Sequence, residues 1–140
     1  MKDVVISIHG LQDLDDSGVE FVTDGKYEYS ADTAVFSYEE SELTGLEGTT
    51  TTFTVDKDSV MMSRTGTLNA QIVFEEGKKY YFVYDTPFGK ASMGVETHSI
   101  TSYLDEHGGY LEIKYMVDMV NTVVNRSLFK IYIKEIRNDN

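Results

Sequence analysis

Cysteine is absent from the 140 residues, so no disulfide, thiolate nucleophile or thiolate metal ligand is available. Proline occurs once, at Pro87, and strand-like runs elsewhere go uninterrupted. No segment approaches the roughly 20 apolar residues of a membrane helix. The apolar run Val4 to Ile8, after Met1-Lys2-Asp3, is too short for a signal peptide, and a reducing cytoplasm is the expected location. Basic residues are few, 12 against 24 acidic ones, for a formal net charge of −12, and they form no run. A field of that sign repels nucleic acids and anionic membranes at long range, so neither is an expected partner. Its plain role is solubility. The nucleophile elbow G-x-S-x-G, the phosphate loop G-x-x-x-x-G-K-[ST] and the dinucleotide fingerprint G-x-G-x-x-G are all missing. His9, His98 and His107 lie too far apart for ligand spacing. No catalytic residue, metal or cofactor is therefore assigned.

What is present is β-sheet patterning. The hydrophobic share of 41% and aromatic share of 12% suit a packed globule. A chain of this length fits one domain, residues 1–140. Helical periodicity is nearly absent, and period-2 alternation rich in Val, Ile, Thr, Tyr and Phe runs throughout. Turn signals every eight to twelve residues delimit about ten strands, at 3–12, 18–30, 34–42, 49–56, 59–64, 68–75, 79–86, 90–102, 109–122 and 127–137. A single helical turn could fit at Ser102 to Glu106.

Facing residues of an antiparallel hairpin share a side of the sheet, so apolar should face apolar. A two-residue turn at Asp24-Gly25 fails that test, because it sets Phe21 against Glu28. One long strand 18–30 keeps Val19, Phe21, Tyr27 and Tyr29 in phase, with Gly25 permitting a bend or close approach. A turn at Asp32-Thr33 pairs Tyr29 with Phe36 and Tyr27 with Tyr38. A turn at Lys57-Asp58 pairs Val55 with Val60 and Phe53 with Met62. The loop Glu76-Gly77-Lys78 pairs Phe74 with Tyr80 and Ile72 with Phe82. A three-residue loop around Asn125 joins the stripe Leu111, Ile113, Tyr115, Val117 and Met119 to Phe129, Ile131 and Ile133. Consecutive hairpins make an up-and-down antiparallel meander, and closure into a barrel removes its exposed edges.

Two constellations carry chemistry. Asp13, Asp15, Ser17, Gly18 and Asp24 have the offsets of a calcium loop, but without flanking helices or a bidentate Glu an acidic turn accounts for them. Glu40 shares the inward phase of Phe36 and Tyr38, and Arg64 shares that of Val60 and Met62. An inward carboxylate needs a cation, so the alternation predicts a Glu40–Arg64 pair inside the barrel or at its rim. Such a pair is either a structural ion pair or a polar anchor for a ligand.

The runs Phe36-Ser37-Tyr38-Glu39-Glu40-Ser41-Glu42, Tyr84-Asp85-Thr86-Pro87-Phe88-Gly89 and Gly108-Gly109-Tyr110-Leu111-Glu112-Ile113-Lys114-Tyr115 resemble the YwiB-like family of small bacterial proteins. Arg64-Thr65-Gly66 and Thr97 fit the same pattern. The resemblance implies a calycin-like, lipocalin-type antiparallel barrel, here of about eight to ten strands. It implies no activity, since the family is a domain of unknown function.

Two functional readings follow. A barrel of about eight strands can hold one small ligand. Here the ligand would be apolar or amphipathic, with any anionic head group on Arg64, and with Glu40, Tyr38, Tyr84 and Tyr115 lining or gating the site. Alternatively Phe36, Phe53, Phe74 and Phe82 fill the interior, and the molecule is a structural or protein-interaction module.

Overall fold

The computed structural model describes residues 1–12, 15–119 and 125–136. They form ten strands: β1 (Lys2–Gln12), β2 (Asp15–Ser30), β3 (Thr33–Glu39), β4 (Thr49–Val55), β5 (Val60–Gly66), β6 (Ala70–Phe74), β7 (Lys79–Thr86), β8 (Gly89–Asp105), β9 (Gly108–Met119) and β10 (Asn125–Glu135). All ladders are antiparallel, and the hydrogen-bonded order is β6-β5-β4-β3-β2-β1-β10-β9-β8-β7. The all-β meander read from the sequence is therefore present, nearly closed into a barrel.

The ring closes between the first and last strands, with Ile6 opposite Ile133 and Ile8 opposite Ile131. Its break falls between β6 and β7, which are consecutive in the chain. The hairpin expected there is only partly made. Asn69 and Asp85 exchange both backbone hydrogen bonds at 2.9 Å. That bridge sets the register that puts Ile72 opposite Phe82 and Phe74 opposite Tyr80, yet no ladder forms between those residues. The turn after β6 binds elsewhere: Gly77 N donates to Thr97 O (2.9 Å) and Thr97 N donates to Lys78 O (3.2 Å). Thr97 borders a bulge in β8, where the pairing with β9 shifts register, and such a shift frees backbone groups for another partner.

Three other expectations are corrected. Tyr27 pairs with Phe36 and Tyr29 with Ala34, two residues away from the expected register. The hairpin turns at Ala31-Asp32, both in the left-handed region (φ 50° and 64°), as a two-residue turn of this kind requires. A shift of two preserves every side chain's face. Asn125 begins β10 opposite Val117 and so is no loop centre; residues 120–124 lie outside the described region. The two stripes still meet, in a different register, with Ile113 opposite Phe129 and Leu111 opposite Ile131, so each residue keeps its side of the sheet. Ser102 to Asp105 extend β8 as strand, with no helical turn.

The other pairings hold, including Val55 with Val60 and Phe53 with Met62. β2 runs unbroken through Asp24-Gly25, where Val4 lies opposite Gly25. A side chain at position 25 would collide with Ile6 and the Ser37 carbonyl, so close strand approach explains the glycine. Alternation builds the core: β4 is buried at every second residue, and Phe36 stacks on Phe53 at 4.9 Å between centroids. Phe36, Phe53, Phe74 and Phe82 are all buried, so most of the lumen is filled.

Candidate functional site

Strand register assembles one polar row on the inner face. Tyr38 pairs with Thr51 across β3 and β4, Thr51 with Arg64 across β4 and β5, and Arg64 with Ala70 across β5 and β6. In the register fixed by Asn69 and Asp85, the next position across the break is Tyr84. Ala70 is the small member of the row, so the Arg64 guanidinium can reach over it. Arg64 Nη1 donates to the Tyr84 hydroxyl at 3.1 Å.

Glu40 lies just beyond β3, one residue past the strand end, where its N–H donates to Thr49 O (2.8 Å). Its side chain is 1% exposed and its carboxylate faces Arg64, with Nη2 to Oε2 at 3.7 Å. Thr51 sits between them: its hydroxyl donates to Glu40 Oε2 (2.8 Å) and accepts from Arg64 Nε (3.3 Å). The Thr44 hydroxyl shares its one proton between the Ser41 carbonyl (3.1 Å) and the second carboxylate oxygen (3.4 Å). Both charges are thus paired and hydrogen-bonded, which is what makes them tolerable in a low-dielectric interior.

Burial pushes the Tyr38 hydroxyl well above the ordinary tyrosine range; Glu40 adds to the shift and Arg64 opposes it. Tyr115 is raised the same way, by burial first and then by Tyr84, with Arg64 again opposing. Both phenols stay protonated near neutrality and can act as hydrogen-bond donors.

Next to this row is a cavity of about 220 Å³. Arg64, Tyr84, Tyr115 and Ser127 supply polar groups at its wall, and the rest is apolar, including Met62, Phe74, Phe82, Met93, Val117 and Phe129. Of the five residues the alternation singled out, Arg64, Tyr84 and Tyr115 line the cavity, while Glu40 and Tyr38 flank Arg64 away from it. Thr51 and Ser127 were missed. Each shares the inward phase of its strand, with Phe53 and Phe129 respectively, but a hydroxyl residue on a strand gives no other sign that it faces inward.

Among the described residues no group of three or more His, Asp or Glu could hold a metal. Of the calcium-like segment, Asp13 and Leu14 lie outside the described residues, as do the side chains of Asp15 to Gly18.

The class defined by this architecture is an up-and-down antiparallel β-barrel, open along one seam, with an ion pair inside. Residues 6–131 match the family described as Domain of unknown function (DUF1934), and the chain belongs to that family. The crystal structure of the ywiB protein from Bacillus subtilis is similar with a TM-score of 0.79 at 23% identity, covering 94% of this chain and 91% of that one. At that identity the likeness speaks for the fold alone. No curated protein matches the chain. The resemblance to the YwiB-like family is thus borne out, and it brings no activity with it.

Proposed function

We propose that this barrel binds one small, largely apolar ligand carrying an anionic head group. The observation that carries the reading is the 220 Å³ cavity with the Arg64 guanidinium and the Tyr84 hydroxyl at its wall. An apolar cavity of about 150 Å³ accepts benzene. The space here suits a body of about ten heavy atoms, below the roughly 300–1,000 Å³ of drug-sized pockets. Phe74, Phe82 and Phe129 would hold an aromatic ring or short alkyl chain, and a carboxylate would accept from Arg64 and Tyr84. Glu40 already offsets the Arg64 charge, so the pocket favours a weak anion at modest affinity over a dianion such as phosphate. Native mass spectrometry of gently purified protein, with thermal-shift titration of aromatic and short aliphatic carboxylates, tests the reading. A small adduct lost on denaturation, or a dose-dependent rise in Tm, supports it. A clean apo mass together with a flat titration overturns it.

A second reading is a packed structural or interaction module. It is favoured by the inward Phe36, Phe53, Phe74 and Phe82, which leave so little space. The charge of −12 would then suit a basic protein partner. Co-purification from the native host across salt concentrations separates the two readings.

A further inference from the structure

A laddered sheet can be crossed only by breaking backbone hydrogen bonds, whereas a wall closed by side chains opens with rotamer changes and small strand shifts. Around this barrel the ladders are continuous from β6 back through β1 and β10 to β7. Between β6 and β7 there is register without a ladder. The Asn69–Asp85 bridge holds one end, and the turn at Glu75 to Lys78 holds the other by bonding to Thr97. A further tie, from Ile100 N to Glu76 Oε1 at 2.7 Å, draws the turn onto β8 rather than letting the hairpin zip.

The cavity lies directly behind this unladdered stretch. Ile72 and Phe74 reach it from β6, and Phe82 and Tyr84 from β7. The cavity is partly open to solvent at the barrel end where Arg64, Tyr84 and Val117 are half-buried, and along the seam it is closed by side chains alone. On the outer face of β7, Tyr81 and Val83 are 77% and 47% exposed, an apolar lip beside the opening.

We infer that the β6–β7 seam widens to pass a small amphipathic carboxylate beside Arg64 and Tyr84 into and out of the cavity. The two tied ends act as the hinges of a door and the unpaired middle as its leaf. This rests on the binding reading above and adds the route.

The absence of cysteine means that two introduced thiols can form only one intramolecular disulfide. Gln71 and Val83 face outward, lie opposite one another in the Asn69–Asp85 register and do not line the cavity. In the double variant Gln71→Cys/Val83→Cys, the seam is bridged by oxidation, or by a short bismaleimide where the disulfide does not close. The chain also lacks tryptophan, so anthranilate, a fluorescent aromatic carboxylate of the size the cavity suits, can be excited beyond the tyrosine band without protein background. Stopped-flow mixing should show association and dissociation of anthranilate both slowed at least about tenfold in the bridged protein, with Kd changed less than about twofold. Reduction of the disulfide should restore the rates. Bridged protein that exchanges the probe as fast as the unbridged form overturns the door and leaves the cavity reading intact. Wild-type protein that binds neither anthranilate nor any other carboxylate of the thermal-shift series overturns the cavity reading, and the door with it.

Discussion

Removing Arg64 while keeping its apolar stem tests how the buried pair is held. In Arg64→Met the Glu40 carboxylate, 1% exposed, loses a guanidinium 3.7 Å away. At an effective dielectric of about 20, that separation corresponds to about 4.5 kcal/mol of attraction. Breaking a buried pair typically costs about 3–5 kcal/mol. The hydroxyls of Thr51 and Thr44 still bond the carboxylate, which puts the expected loss near the lower end, about 3 kcal/mol. Glu40→Gln leaves the cation instead. Arg64 is 13% exposed and keeps its bonds to Tyr84 and Thr51, so the loss should be smaller, about 2 kcal/mol. The double variant strands neither charge and should lose only about 2 kcal/mol, well short of the two single losses combined. Urea denaturation at constant m reads these differences, and Arg64→Met should lower Tm by about 10 °C. Single effects that add in the double variant to within about 0.5 kcal/mol would refute the coupling and reduce the pair to a geometric coincidence.

Three further outcomes follow from the structure. Burial pushes the Tyr27 hydroxyl up to about 12, and Tyr38 and Tyr115 move in the same direction. Above about pH 10 the unfolded chain releases protons that the folded chain retains, so stability should fall by about 1.4 kcal/mol per pH unit for each such tyrosine. A urea midpoint that stays flat from about pH 10 to about pH 11.5 would contradict this. Ala31 sits in the left-handed region at the first position of its turn, so Ala31→Asn should stabilise by about 0.5–1 kcal/mol in thermal or urea unfolding, and a loss would mean the turn is not of this type. Gly25→Ala forces Ile6 or the Ser37 carbonyl to move and should cost about 1–3 kcal/mol, whereas a neutral result would remove close approach as the reason for the glycine.

The inner face was legible because strand parity is robust. A register error of two residues at Tyr27 and Tyr29 left every side chain on its correct side, which is why Glu40 and Arg64 could be matched from so few inward charges. The error itself came from a turn whose left-handed residues are Ala and Asp, without the glycine that usually marks one. The expected pairing of Phe74 with Tyr80 has the right register but no ladder. The cause lies in β8, where the bulge at Thr97 takes the turn's backbone groups, a competition that testing one hairpin at a time does not detect. Thr51 escaped notice because threonine is common on either face of a strand. The cavity escaped because a volume of about 220 Å³ is what remains when side chains from six strands are packed together. Alternation reports which way each points and nothing about how well they fit.

Closure between β1 and β10 also bears on how the barrel is made. Val4 meets Glu135, so the ring's completing contact joins the most distant parts of the described chain. The loop-closure entropy of such a contact is met late, and all-β domains of high contact order fold in roughly milliseconds to seconds. During synthesis nine strands are made before β10, and β1, carrying Val4, Ile6 and Ile8, has one bare edge until that last strand arrives. The acidity of the chain gains a second use here, because like charge keeps two such unfinished sheets apart while each waits for its own last strand.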